Sequence, residues 1–261
     1  MQQPEQMFDE ALGGNGSVPQ IPHWLGNILW VVVSFLCKVV TRYAVHGREH
    51  VRAFNNERGA VIACNHSSYL DIPFMYCCVR PQQWVRIMAR DTLFKRKLGA
   101  QILARCGGFP VARDTADRTS IKRATRMLKS GQLVGIFPEG TRRGKTSRTP
   151  EIHGGAALIA RMGKAPIVPM AIDGSDKIKV KGDWRIHFPK VNVYYGAPIA
   201  VSSFDFLPKE ERLDGCMWYV MRESFAMKLR IPAEQVDMTT LFPDAKDYSA
   251  IFKEHPIPRE D

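Results

Sequence analysis

Five short apolar runs, Val61–Cys64, Val85–Ala89, Phe109–Val111, Leu133–Phe137 and Ile167–Ile172, alternate with longer amphipathic stretches. No other feature constrains the fold as strongly. Consecutive apolar positions bounded by turn residues read as strands buried on both faces, and such strands need helices above and below them. Helices are expected near Ile72–Cys78, Leu93–Cys106, Ser120–Lys129 and Gly155–Met162. The pattern is that of an α/β domain with covered sheet faces. Downstream, Arg185–Phe188 and Val191–Tyr195 are strand-like and are separated by Pro189-Lys190, which predicts a hairpin or a paired edge. A last helix is expected from Lys209 to Leu229, stopped by Pro232.

The first of these strands runs straight into Asn65-His66-Ser67-Ser68-Tyr69-Leu70-Asp71. Within one helix, residues five apart sit about 140° apart around the axis. His66 must therefore precede the helix if Asp71, in its first turn, is to fold back onto the imidazole. A carboxylate so placed fixes one ring tautomer and leaves the other nitrogen to accept a proton. The alternative is a plain helix start, with Ser67 or Ser68 as the cap and His66 exposed. Asn65 either orients this loop or serves as a turn residue tolerant of unusual φ.

Three further blocks follow: Gly107-Gly108-Phe109-Pro110-Val111-Ala112-Arg113, then Phe137-Pro138-Glu139-Gly140-Thr141-Arg142, then Ile167-Val168-Pro169-Met170-Ala171-Ile172. In this order and spacing, across about residues 60 to 172, the chain resembles the glycerolipid acyltransferase family typified by bacterial 1-acyl-glycerol-3-phosphate acyltransferase, the PlsC-like enzymes. The resemblance implies an α/β fold whose mixed sheet is covered by helices, of the glycerol-3-phosphate acyltransferase-like kind. It also implies transfer of an acyl group from acyl-CoA or acyl-carrier protein to the sn-2 hydroxyl of lysophosphatidic acid, giving phosphatidic acid. His66 and Asp71 take the catalytic positions. Arg113 and Arg142 are implied to hold the phosphate, with Glu139, Gly140 and Thr141 at the glycerol end. Arg143 stands where many members carry a small Ser, and adds charge beside that site.

A covalent acyl-serine would need its own elbow, and no GxSxG occurs in the chain. Direct transfer through a ternary complex is therefore expected. Guanidinium groups suit the phosphate because they grip it with two parallel hydrogen bonds. Lys95, in Leu93-Phe94-Lys95-Arg96-Lys97, either supports phosphate or donor binding or belongs to a basic surface. The stretch Gly140–Thr146 mimics a P-loop, but its first glycine is one residue too close for GxxxxGK[ST]. Other acceptors fit the same machinery: another lysophospholipid, glycerol-3-phosphate, or a lipid-to-lipid transfer.

The net charge of +11 is concentrated in one region. Residues 80–150 hold 17 Lys and Arg against four acids, so the remainder of the chain is slightly acidic. Basic residues there do not alternate with stacking aromatics, and no nucleic-acid-binding signature is present. An anionic membrane surface and a phosphorylated substrate are the expected partners, with no nucleic acid. A non-catalytic basic protein docking on membrane would share this charge. Six cysteines without a CxxC pair read as small core residues in a reducing compartment. His46 and His50 flank a turn and read as a loop, and neither metal nor cofactor is expected.

Residues 1–20 carry three acids and no base, and are expected to be a mobile tail. From Trp24 to Cys37 there is no formal charge, giving a helix of roughly 21 Å, against about 30 Å for a bilayer core. Residues 21–43 are thus better suited to monotopic insertion at the cytoplasmic membrane face than to spanning, a core-packing helix being the other option. The catalytic domain is expected over 44–232. Residues 233–261 form a C-terminal extension with no clear period.

Overall fold

The computed structural model describes residues 23–54, 57–79, 85–112, 117–143, 149–180 and 182–258. They form a seven-stranded sheet built from β1 (Ala44–His46), β2 (Ala60–Cys64), β3 (Val85–Arg90), β4 (Gly108–Val111), β5 (Leu133–Ile136), β6 (Ile167–Asp173) and β7 (Asn192–Tyr195). The spatial order is β1-β7-β6-β2-β5-β3-β4, and every pair is parallel except β6 with β7. The sheet is mixed, as expected.

The helices are α1 (His23–Thr41), α2 (Arg48–Arg52), α3 (Asp71–Cys78), α4 (Lys97–Arg105), α5 (Arg118–Lys129), α6 (Gly155–Gly163), α7 (Arg212–Leu229), α8 (Met238–Leu241) and α9 (Ser249–Glu254). Strand β2 shows how the two faces are filled. Ala60, Ile62 and Cys64 pack with Phe74 and Met75 of α3, while Val61 and Ala63 pack with Ala124 of α5 and Ala157 of α6. Period-2 alternation thus sends neighbours to opposite cores. Burial on both faces is why the strands read as continuous apolar runs.

Two elements differ from expectation. Arg185–Phe188 is no strand: the His187 N–H donates to Ile178 O at 2.9 Å, and Asp183 accepts the Arg185 N–H at 2.9 Å, closing a loop on itself. β7 pairs instead with the short β1, which the sequence pattern did not disclose. The segment around His46 and His50 is not a loop either. His46 ends β1 and stacks on Tyr194 at 4.7 Å, and His50 lies in α2.

The C-terminal stretch belongs to the core, with Phe242, Tyr248 and Phe252 all buried and Trp218 of α7 stacked on Phe252 at 5.7 Å. On the other side of the sheet, α1 lies against α3, where Trp30 Nε1 donates to Tyr76 O at 3.2 Å. No helix among the described residues is long and apolar enough to cross a membrane. The basic segment is also less superficial than its charge count suggests. Arg86 is fully buried, donating Nε–H to Gln132 Oε1 at 2.9 Å.

Candidate active site

In a parallel sheet the loops that follow the carboxyl ends of the strands converge on one edge. Here that edge receives the chain leaving β2, β5 and β6. Asn65 begins the convergence. Its side-chain amide accepts from Ile172 N at 2.8 Å and donates to Ile172 O at 3.1 Å, completing the β6 ladder one residue past the last β2 pair. The amide thus substitutes for backbone pairing, and the main chain is released to turn away as His66. Asn65 orients the loop, and its φ is not positive.

His66 is only 8% exposed and Asp71 is 0% exposed, which rules out the plain helix start with a solvated histidine. The Nδ1 of His66 lies 3.0 Å from Asp71 Oδ2. The same oxygen accepts the N–H groups of Ser67 and Ser68, each at 2.8 Å, and Oδ1 accepts the hydroxyl of Ser175. Capping therefore runs opposite to that alternative, with the carboxylate of the first helical residue gathering the donors before it. A buried carboxylate needs such partners to remain charged. With Asp71 accepting at Nδ1, the neutral ring carries its proton there and Nε2 is the acceptor. The ring itself stacks on Phe137 at 4.1 Å.

The second loop clamps the first through its backbone. Glu139 Oε1 accepts the His66 N–H at 3.0 Å, and Arg143 N donates to His66 O at 2.8 Å. Glu139 Oε2 pairs with Arg143 Nε at 2.9 Å, so the ion-pair partner of Glu139 is Arg143. Arg143 turns inward, donating to Leu241 O at 3.0 Å with its guanidinium against the rings of Phe225 and Phe242. Its charge is consumed inside the fold, a correction to its expected place beside the phosphate. Burial pushes the Glu139 carboxyl above the ordinary range, and the attraction of Arg143 and the His66 N–H only partly offsets this.

Gly140 has φ +63°, the left-handed region that a Cβ disfavours, and an added Cβ would come within 3.1 Å of His153 Nε2. Thr141 closes the turn by donating its N–H to Glu139 O at 2.6 Å. The Arg142 guanidinium lies over Tyr69, 3.6 Å from the ring centre, which ties the glutamate loop to the histidine loop by a cation–π contact. Lys95 is exposed just after the turn Asp91–Phe94, on the same carboxyl edge. Arg113 lies outside the described residues.

The family model described as Acyltransferase matches residues 42–173, just over half of the chain, from the start of the sheet through β6. The chain belongs to the acyltransferase family. The 1-acyl-sn-glycerol-3-phosphate acyltransferase of Bacillus subtilis is 37% identical over 171 residues, 64% of this chain and 82% of that protein. The enzyme of the same name from Streptococcus pneumoniae is 28% identical over 169 residues, 63% of this chain and 60% of its own length. The crystal structure of the Thermotoga maritima acyltransferase PlsC superposes with a TM-score of 0.59 at 21% identity, covering 80% of this chain and 82% of that one, a likeness of fold.

Three residues of this acyltransferase site were not legible in the sequence. Ser175 holds the second oxygen of Asp71 from 104 positions away, Tyr69 supports Arg142, and His153 walls the Gly140 turn. A repeated apolar–Asx or Gly–Ser pattern at strand ends could have hinted at Ser175, which follows Asp173-Gly174 at the end of β6. Nothing local marks the other two.

Proposed function

We propose that this acyltransferase moves a fatty acyl group from acyl-CoA or acyl-carrier protein to the sn-2 hydroxyl of 1-acyl-sn-glycerol-3-phosphate, making phosphatidic acid. The observation that carries the reading is the buried His66–Asp71 pair, with all donors to the carboxylate supplied by the fold. In the reaction, His66 Nε2 takes the hydroxyl proton as that oxygen attacks the thioester carbonyl. The C–S bond then breaks, and the thiolate leaves without needing a strong acid. Asp71 holds the tautomer and balances the imidazolium that forms. Both relatives described above carry the name of this activity, which supports the choice of acceptor. The assay is thiol release from acyl-CoA across a panel of lysolipids and glycerol-3-phosphate. Release with other acceptors but none with lysophosphatidate would move the protein to another substrate.

Arg142 and Arg113 are assigned to the acceptor phosphate. Arg142 suits this because its cation–π contact with Tyr69 holds its guanidinium beside the histidine loop. Replacing Arg142 by alanine should lower kcat/KM for the phosphorylated acceptor about ten- to a hundredfold, the worth of a charge-assisted bond. Arg113→Lys and Arg142→Lys should raise the acceptor KM and move the donor KM less, because charge is kept and the bidentate grip is lost. Unchanged acceptor KM in both would remove the phosphate assignment.

Membrane attachment at the cytoplasmic face is proposed to begin with α1. One side of that helix packs on α3, while Phe35 and Val39 are 65% and 60% exposed on the other. Deleting residues 1–43 would also remove Tyr43, which is buried in the core, and Thr41, whose carbonyl accepts from Val191 N. Substitution is the cleaner test. Phe35→Asn with Val39→Asn should weaken vesicle binding about tenfold, leaving a salt-sensitive remainder due to basic residues. Binding unchanged at low and high salt would make α1 a core-packing helix only.

A further inference from the structure

We propose that the β6–β7 loop, residues 174–191, is a second bilayer contact, inserting Trp184, Ile186 and Phe188 among the headgroups of an anionic membrane. The proposal adds a partner surface to the proposed lipid activity and rests on that activity only for the meaning of the orientation it produces.

Three observations carry it. First, Trp184, Ile186 and Phe188 are 84%, 62% and 61% exposed, at alternate positions of one short segment. Arg185 and His187 stand between them, and His187 is tied to Asp183 at 2.7 Å. Exposed apolar residues scattered singly are ordinary, but three large ones presented together mark a contact surface. Second, the loop is built to present them. Asp183 N donates to Val180 O at 3.2 Å, Lys179 Nζ donates to Asp183 O at 2.7 Å, and Ile178 is buried as the foot of the loop.

Third, charge and place select the occupant. From Gly174 to Lys190 there are five Lys and Arg and two Asp, with the Arg185 guanidinium 5.7 Å from the Trp184 ring centre. Aromatic rings beside cations suit the boundary between headgroups and acyl chains, where the ring has an apolar body and the cation meets phosphate. A protein partner would need no such excess of cations unless it were acidic, and a second copy of this loop would be repelled. The loop leaves β6 at the carboxyl edge that carries His66, and Val191 N joins it to Thr41 at the end of α1 at 3.2 Å. At the opposite end of the same edge, after β3, Leu93 and Leu98 are also exposed beside Lys95 and Arg96. Apolar groups therefore flank the active-site edge on both sides. Seating both flanks turns His66 toward the membrane, so that a lysolipid reaches it without leaving the bilayer.

The test uses the full chain with vesicles of phosphatidylglycerol and phosphatidylcholine, made with and without brominated acyl chains. The chain has five tryptophans, so the Trp184 signal is the difference between wild type and Trp184→Phe. Brominated vesicles should quench that difference. The triple variant Trp184→Ser, Ile186→Ser, Phe188→Ser should bind anionic vesicles about tenfold more weakly, while its turnover of a short-chain lysolipid dispersed as monomers stays at the wild-type level. An unquenched Trp184 signal, or equal vesicle binding by wild type and triple variant, overturns the proposal. So does a wild-type dimer that the triple variant converts to monomer with vesicle binding unchanged, which would assign the surface to a second copy. The quenching reads the wild-type chain, so it does not depend on how the triple variant folds. Failure to turn over any lysolipid would overturn the activity and not the contact, because neither vesicle measurement requires turnover.

Discussion

Replacing His66 by alanine is expected to lower acyl transfer by about 10³–10⁴-fold, the upper part of what a positioned general base contributes, with the fold intact. The side chain sits in a loop between β2 and α3, and its backbone contacts to Glu139 and Arg143 do not involve the imidazole. What alanine removes is the proton acceptor and a ring stacked on Phe137. Asp71→Asn should be milder, about ten- to a hundredfold. An Asn oxygen can still accept from Ser67 N, Ser68 N and His66 Nδ1, and its amide can meet the Ser175 hydroxyl, so only the negative charge opposite the imidazolium is lost. Steady-state kinetics on purified variants, with circular dichroism to check folding, measures both. Near-native turnover by His66→Ala would end the general-base mechanism.

Glu139→Ala should damage stability and activity together. It leaves Arg143 without its counter-charge among Phe225, Phe242 and Leu241, and it releases the His66 N–H. Breaking a buried pair by removing one partner costs about 3–5 kcal/mol. The Arg143 side chain retains 23% exposure, so the lower end, about 3 kcal/mol, is expected. A loosened His66 should cost about a hundredfold in turnover as well. Glu139→Gln keeps an oxygen for His66 N–H and should lose less of both. The two replacements also differ in pH response. Burial raises the Glu139 carboxyl, so the folded state holds that proton more tightly than the unfolded chain does. The resulting stability is fully present below the ordinary value of about 4.3 and is lost as pH rises through the higher folded value. Glu139→Gln should lack that decline. Denaturant unfolding across the acid range measures it, and wild-type stability in Glu139→Ala would mean the pair contributes nothing.

Strand and helix positions were readable because burial on both sheet faces forces unbroken apolar runs, and those runs are local. β2, β3, β4, β5 and β6 appear within a residue or two of where the apolar pattern puts them. The same local logic failed at Arg185–Phe188, where alternation of apolar and charged residues signals a strand whether or not a partner strand is available. The strand it was expected to pair with, β7, is occupied by β1 on one side and β6 on the other, and the N–H groups of Asp183, Arg185 and His187 bond within the loop instead. The residue after a strand is equally ambiguous, which is why Asn65 could be read as a turn until its amide was found completing β6.

The amino-acid sequence by itself determined the α/β class, the strand-end positions of His66, Glu139 and Arg142, and the five-residue spacing that lets Asp71 reach back to the imidazole. Those depend on short-range geometry that any chain with these residues must obey. Only the tertiary structure decided which partners complete the site. Ser175 reaches Asp71 and Ile172 reaches Asn65 because β6 lies beside β2, and Glu139 reaches His66 because β5 lies on the other side. Arg143 turned inward because α7 and the C-terminal stretch bring Phe225, Phe242 and Leu241 over the glutamate loop. Contacts between residues a hundred positions apart are set by strand order, and strand order follows from how the whole sheet buries both of its faces.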